Sequence, residues 1–247
     1  PNARLVSHTQ TAYTLALAFD LLDGETEQLA ALHLENNVRE FGHITTGFLG
    51  TPLISLTLTD HGMIDLAYML LNRKEYPSWL YPVTMGATTI WERWDGMKPD
   101  STFQDPGMNS FNHYAYGAIG KWLYQVVGGI GIDPEHPGYK HVIIHPRPGG
   151  GLTHAEASHE SMYGTISSGW KLEGDGLQMD VVIAVNTTAS IHITGNPGDI
   201  TLNGTRLDES GIDYRVMEEK VVAETGSGHY RIATKMEQKG EDNTAGE

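Results

Sequence analysis

The chain has 247 residues, with 16 lysine and arginine side chains against 31 aspartate and glutamate, a formal net charge of -15 and no cysteine. Absence of cysteine excludes a disulfide framework and any thiolate metal site. The acidic balance argues against nucleic acid as a partner, because affinity for a polyanion comes largely from cations placed on phosphates. The length admits one large domain or two modest ones. The longest apolar stretches, such as residues 14–22, fall well short of the roughly 20 residues that cross a bilayer, so no membrane partner is expected. The opening PNARLVSHTQ carries neither a starting methionine nor a secretory segment; it reads as a fragment or processed chain, and the cytoplasm is the compartment expected.

From residue 7 to about residue 127 the apolar spacing is helical. Ala12, Leu15, Ala16 and Phe19 repeat every three or four residues, with Ser7 and Gln10 placed as a capping box. A second amphipathic run over residues 25–41 closes at Gly42, a glycine stop. Thr51 and Pro52 mark an N-cap and first turn for a helix ending near Gly62, residues 63–71 carry another, and Ser78 opens a short one. A last helix is predicted from Ser110 through Trp122 and Val126 to Gly128 and Gly129. That makes about six helices, separated by longer irregular segments at 42–50 and 86–109, where function tends to sit.

Past Gly129 the period becomes two. HVIIH, SMYGTISSGWKLEG, LQMDVVIAV, SIHIT, ITLNG and HYRIAT alternate apolar and polar residues between turn signals such as Asp175-Gly176 and Asn203-Gly204. This predicts an antiparallel β-sandwich over residues 130–236. Residues 237–247 are polar, lack periodicity and are expected to be disordered.

The stretch GATTIWERWDG sets Glu92 between Trp91 and Trp94. A carboxylate beside indole rings loses solvation, which disfavours the charged form and suits proton exchange; the alternative is that the tryptophans anchor a core and Glu92 pairs with Arg93. Indoles lie on the C–H faces of sugars while carboxylates and imidazoles bond their hydroxyls, so this loop, with Tyr76, Trp79 and Tyr81 upstream, suggests a carbohydrate. His113, on the first turn of the predicted last helix, is either an anchor for a substrate hydroxyl or a locally bonded histidine. His136, His141 and His145 fit no familiar ligand spacing, so no metal is expected. Gly128, Gly129 and Gly131 fail the dinucleotide fingerprint because they follow a helix, and no cofactor is expected.

Taken together, QTAYTLALAFDLL, HITTGFLGTP, YPSWLYPVTMGATTIWERWDG, MNSFNHYAYGAIGKWLYQVVGGI and GSGHYRIA resemble the C-terminal part of bacterial α-L-rhamnosidases, glycoside hydrolase family 78, from about Leu5 to Ile232. The resemblance implies an (α/α)₆ barrel, of which residues 1–129 form the C-terminal half, followed by the β-sandwich. It also implies inverting hydrolysis of terminal α-L-rhamnose, in which one carboxylic acid protonates the leaving oxygen and a second carboxylate activates water. Glu92 matches the family's general base and His113 a histidine that contacts the sugar, while Trp79 and Trp91 are assigned as walls of the pocket. The family's general acid has no counterpart here, so the chain alone is expected to be feeble or inactive. A homodimer or a complementary chain is expected to cover the open half-barrel. The alternative is a non-catalytic carbohydrate-binding or assembly module with a degenerate barrel; a related hydrolase acting on an α-L-fucoside is a nearer one.

Overall fold

A computed structural model describes residues 3–217 and 220–235; the predicted disordered tail lies outside them. The chain divides into two compact units, one ending at Trp122 and the other beginning at Leu123.

The first unit is helical. α1 (Gln10–Ala18) packs on α2 (Gly24–Phe41) and α3 (Thr51–Asp60), and α3 packs on α4 (Ile64–Asn72). A short α5 (Leu80–Thr84) follows, and after the long irregular segment comes α6 (Ile119–Trp122). Tyr13, Leu34, Ile54, Leu58, Tyr68 and Trp122 are fully buried. Trp122 ties this core together: its indole N–H donates to Thr59 Oγ1 at 2.8 Å and its ring meets Tyr68 edge-on at 4.9 Å. α2 ends as its sequence predicts, at Gly42 with φ 64°. Such left-handed backbone suits a residue without Cβ.

Three details differ from the sequence reading. Thr9, not Ser7, caps α1, accepting from Ala12 N at 3.2 Å. Gln10 is committed elsewhere, its amide donating to His43 O at 3.0 Å and accepting from Thr45 N at 2.8 Å. Gly50 occupies the cap position of α3, because the Thr51 hydroxyl bonds Thr46 Oγ1 at 2.8 Å. The predicted last helix does not begin at Ser110: residues 110–114 are irregular, and helical turns start only at Ala115, in 3₁₀ form to Ala118, then α6, then a π turn over Leu123–Val127. His113 therefore precedes the helix and is not on its first turn.

The second unit is a pair of sheets. One has the strand order β1 (Ile130–Ile132), β2 (His141–Ile144), β6 (Thr188–Thr194), β10 (Lys220–Thr225), β9 (Tyr214–Met217). The other runs β3 (His154–Ser161), β4 (Gly164–Glu173), β5 (Gly176–Ile183), β11 (Gly228–Lys235), β7 (Thr201–Leu202), β8 (Thr205–Arg206). All pairs are antiparallel except β2 with β6. Alternate residues such as Ile166 and Trp170 on β4, Met179 and Val181 on β5, and Ile191 and Ile193 on β6 form one core. Trp170 is buried within it, and its N–H donates to Val127 O at 2.7 Å. Gly129, at φ 80°, leaves no room for a side chain, since a Cβ there would sit 2.2 Å from Pro146 N.

On the far side of β2 and β6, His145 stacks on His192 with centroids 4.5 Å apart. Burial, followed by the charges of Arg147, His192 and Lys220, pushes the His145 imidazole from its ordinary 6.5 down to about 3. The unfolded chain then takes up a proton near pH 6.5 that the folded chain refuses until near pH 3. Stability falls as pH drops through that window, by about 1.4 kcal/mol per pH unit from this group. Replacing His145 by Phe is expected to flatten the acid limb of a urea-denaturation series between pH 6 and pH 4; an unchanged slope refutes the assignment. Trp170→Phe, which strands the Val127 carbonyl, is expected to lower unfolding stability by about 1–3 kcal/mol in the same assay.

Candidate functional site

The long segment between α5 and α6 is irregular because its backbone pairs with itself. Its two ends run side by side: Glu92 N donates to Ser110 O at 2.8 Å and His113 N donates to Ile90 O at 2.8 Å. The Thr89 hydroxyl adds a bond to Phe111 O. These nonlocal bonds take up the Ser110 and Phe111 carbonyls, which would have accepted the first hydrogen bonds of a helix starting at Ser110. Inside the loop, Met97 bridges Phe103, and Asn109 Nδ2 donates to Gly96 O at 3.0 Å. Gly96 must lack a side chain, for a Cβ would meet Asn109 Oδ1 at 2.9 Å and Trp91 at 3.2 Å.

Glu92 sits at the join, half-buried. Its Oε2 accepts from Ser110 N at 2.8 Å, so Ser110 gives both its backbone groups to Glu92. Oε1 makes no hydrogen bond among the described residues. The pairing with Arg93 that the sequence left open does not form; Arg93 Nε bonds Asp95 Oδ1 at 3.2 Å, and Gln104 donates to the other oxygen of Asp95.

His113 lies between two rings, Phe48 at 5.0 Å and Tyr114 at 5.1 Å, both within 15° of parallel. Ala115 N donates to its Nδ1 at 3.2 Å. In the neutral ring the proton is then on Nε2, which is left as a donor.

Trp79 and Trp91 are both buried and line one recess together with Ile90, Arg93, Trp94 and Tyr116. Trp79 donates to Tyr116 O at 3.0 Å, and Trp91 meets Phe111 edge-on at 5.1 Å. Glu92 and His113 are not part of that lining. Trp94, which sequence reasoning left out of the site, stacks flat on Tyr116 at 3.7 Å and 4°. It also lines a neighbouring recess with His43, Thr46 and Tyr76. The spacing W-x-x-W carried that signal, since both indoles belong to one loop. Burial first, then Tyr76, Asp95 and Glu92 against Arg93, raises the Tyr116 phenol above its ordinary range. Tyr76 is raised by burial and Asp95. Both hydroxyls stay protonated donors at neutral pH. Among the described residues no three histidine, aspartate or glutamate side chains come together as a metal site, and no helix there is long and apolar enough to cross a membrane.

An oriented carboxylate with one oxygen free, an imidazole N–H and indole rings are groups of the kind that sugar pockets combine, apolar walls with a few polar anchors. Residues 1–127 match the family described as the bacterial alpha-L-rhamnosidase 6 hairpin glycosidase domain, and residues 131–206 the bacterial alpha-L-rhamnosidase C-terminal domain. An alpha-L-rhamnosidase of Streptomyces avermitilis is 40% identical over 233 residues, which is 94% of this chain and 22% of that protein. One from Formosa agariphila is 48% identical over 189 residues, 76% of this chain and 20% of that one. Among solved structures, the Streptomyces avermitilis alpha-L-rhamnosidase complexed with L-rhamnose superposes with a TM-score of 0.86 at 39% identity, covering 94% of this chain and 22% of that one. The Aspergillus terreus enzyme gives 0.78 at 36% identity, covering 93% and 24%. The chain thus spans about a fifth of the length of the relatives it matches. Its helices are part of an (α/α)₆ barrel, its strands form the β-sandwich that follows, and the chain belongs to the bacterial alpha-L-rhamnosidase 6 hairpin glycosidase family.

Proposed function

We propose that the chain carries the base-bearing part of an inverting glycoside hydrolase that releases terminal α-L-rhamnose from rhamnosides, with Glu92 as general base. The observation that carries this reading is the Glu92 carboxylate, fixed through Oε2 by the Ser110 amide at 2.8 Å with Oε1 left for water. A general base needs a carboxylate oxygen within hydrogen-bond reach of the proton it takes. In the inverting scheme Oε1 removes a proton from water as that water attacks the anomeric carbon, while an acid on the other side protonates the leaving oxygen. His113 Nε2 donates to a sugar hydroxyl. Trp79 and Trp91, which share one recess with Trp94, supply the apolar wall. Rhamnose as the sugar is supported by the relative solved with L-rhamnose.

The acid is assigned to residues beyond this chain. Asp95, the carboxylate nearest in sequence to Glu92, is engaged by Arg93 and Gln104. A complementary segment is the partner proposed to supply it, and that segment or a second copy of the chain is proposed to cover the open half-barrel. Exposed apolar side chains on the helical unit, among them Phe19, Leu21, Phe41 and Leu49, support such a covering.

Glu92→Gln keeps an oxygen to accept from Ser110 N but loses the base. In the protein extended to a full barrel, rhamnose release from an aryl α-L-rhamnoside is expected to fall by about 10²–10⁴-fold; an unchanged rate rejects the role. His113→Ala is expected to raise KM about tenfold or more, the effect of losing roughly 1.4 kcal/mol of binding. The present chain alone is expected to release rhamnose at least about 100-fold more slowly than the extended protein. Full activity in the chain alone would place the acid within it, with Asp95 and Asp105 the first carboxylates to test.

A further inference from the structure

The outer face of the six-stranded sheet carries a groove of about 600 Å³ that lies wholly within the second unit. Strand register explains how it forms. Glu156 on β3, Gly169 on β4, Asp180 on β5 and Arg231 on β11 are direct neighbours in one row across the sheet. His154, Lys171, Gln178 and Ala233 form the next row. Long polar side chains thus flank two positions, Gly169 and Ala233, that leave the sheet surface bare.

Gly169 has no explanation in the fold. Pairing runs through it in register on both sides, so it marks no bulge. Its φ is outside the left-handed region. A Cβ built there would meet only ordinary contacts, with Glu156 Cγ at 3.6 Å, Asp180 O at 3.8 Å and Ala155 O at 3.9 Å. Glycine in a strand interior weakens it, and where bulge, bend and close packing are absent the remaining reason is the close approach of another molecule.

The lining indicates what approaches. Arg231 faces Asp180 at 3.7 Å and Lys171 pairs with Glu173 at 3.1 Å, so each cation of the groove is already matched by a carboxylate and none is left to select for an anion. Glu156 makes no hydrogen bond among the described residues, and the Gln178 amide gives only its nitrogen, to Glu173. Free acceptors therefore stand beside the donors of Lys171 and Arg231. Hydroxyls that donate and accept at once satisfy such a mixed set, and a groove of about 600 Å³ has room for more than one sugar unit.

We propose that this groove binds a neutral oligosaccharide, a stretch of the glycan that bears the terminal sugar, apart from the site at Glu92. The choice of glycan rests on the reading of the protein as acting on rhamnosides. Binding at the groove holds the polymer to the protein without taking part in hydrolysis.

The test is titration of the 247-residue chain with a neutral α-linked rhamnose hexasaccharide, followed by calorimetry and by amide hydrogen exchange. The expected result is saturable binding with added protection in β4 and β5 around residue 169. Gly169→Thr fills the floor with a residue that favours strands, and is expected to weaken binding tenfold or more with an unchanged melting temperature. Gln178→Ala, which leaves the backbone untouched, is expected to weaken it several-fold and serves if the first variant fails to fold. Undiminished binding by folded Gly169→Thr or by Gln178→Ala, or no change in exchange in β4 and β5, overturns the proposal. Binding lost only on His113→Ala assigns the hexasaccharide to the first unit, which overturns the groove and leaves the rhamnosidase reading intact. Loss of the base role on Glu92→Gln hydrolysis measurements leaves the groove result standing, so the two readings fail separately.

Discussion

Two hydrogen bonds between Glu92 and Ser110, backbone to backbone and backbone to carboxylate, close the long segment that separates α5 from α6. The segment holds only short 3₁₀ turns, Pro106–Met108 and Ala115–Ala118, and one isolated bridge, and a segment of that length would cost considerable conformational entropy to order without such ties. Because one of the two bonds ends on the carboxylate, the group proposed to do chemistry also fixes the loop that carries it. Two neighbouring rings follow from this pairing of the loop's ends: Phe111 is placed one residue past Ser110 and meets Trp91, and His113 is placed by the bond to Ile90 and enters the stack with Phe48.

Helix ends and strand periods were legible in the sequence where they depend on local chemistry. Gly42 stops α2 because a left-handed residue is needed there, and Asn203-Gly204 turns β7 into β8 as such a pair should. Misreadings arose where a side chain was committed over a long distance. Gln10 could not join a capping box because it spans to His43 and Thr45, and Thr51 could not cap α3 because Thr46 holds its hydroxyl. The strand β3, HAEASHES, escaped notice because its inward positions are alanine, histidine and serine, which give a weak alternation. The strands β1, β9 and β10 were likewise missed; β9 is exposed along its length and has no buried face to set a period.

For the candidate site, the residue types were visible but their partners were not. The sequence singles out Glu92 by its tryptophan neighbours, and it suggests the obvious local partner, Arg93. Arg93 instead goes to Asp95, two residues on, while Glu92 reaches an amide 18 residues away. Nothing in a periodicity argument reports such a pairing. The same holds for His113: its helical-looking neighbours, Ala115, Ala118 and Ile119, begin the helical stretch only after the backbone has been spent on residue 90.

The recess lined by Trp79 and Trp91 and the groove on the sheet are made in opposite ways, and that difference bears on what each can tolerate. The one near Glu92 is held by bonds from irregular backbone, with a buried Asn109 Oδ1 left without a hydrogen-bond partner among the described residues, a cost of about 1–3 kcal/mol for such an atom. Its geometry depends on several bonds that each need their own side chain, so single changes at Thr89, Gly96 or Asn109 disturb positions beyond their own. The groove on the sheet needs only that a regular strand omit a side chain at residue 169, at a cost within the roughly 1 kcal/mol span of strand propensities. Catalytic groups require the first kind of construction, because a carboxylate must be oriented to act; a surface that merely holds a polymer is met by the second.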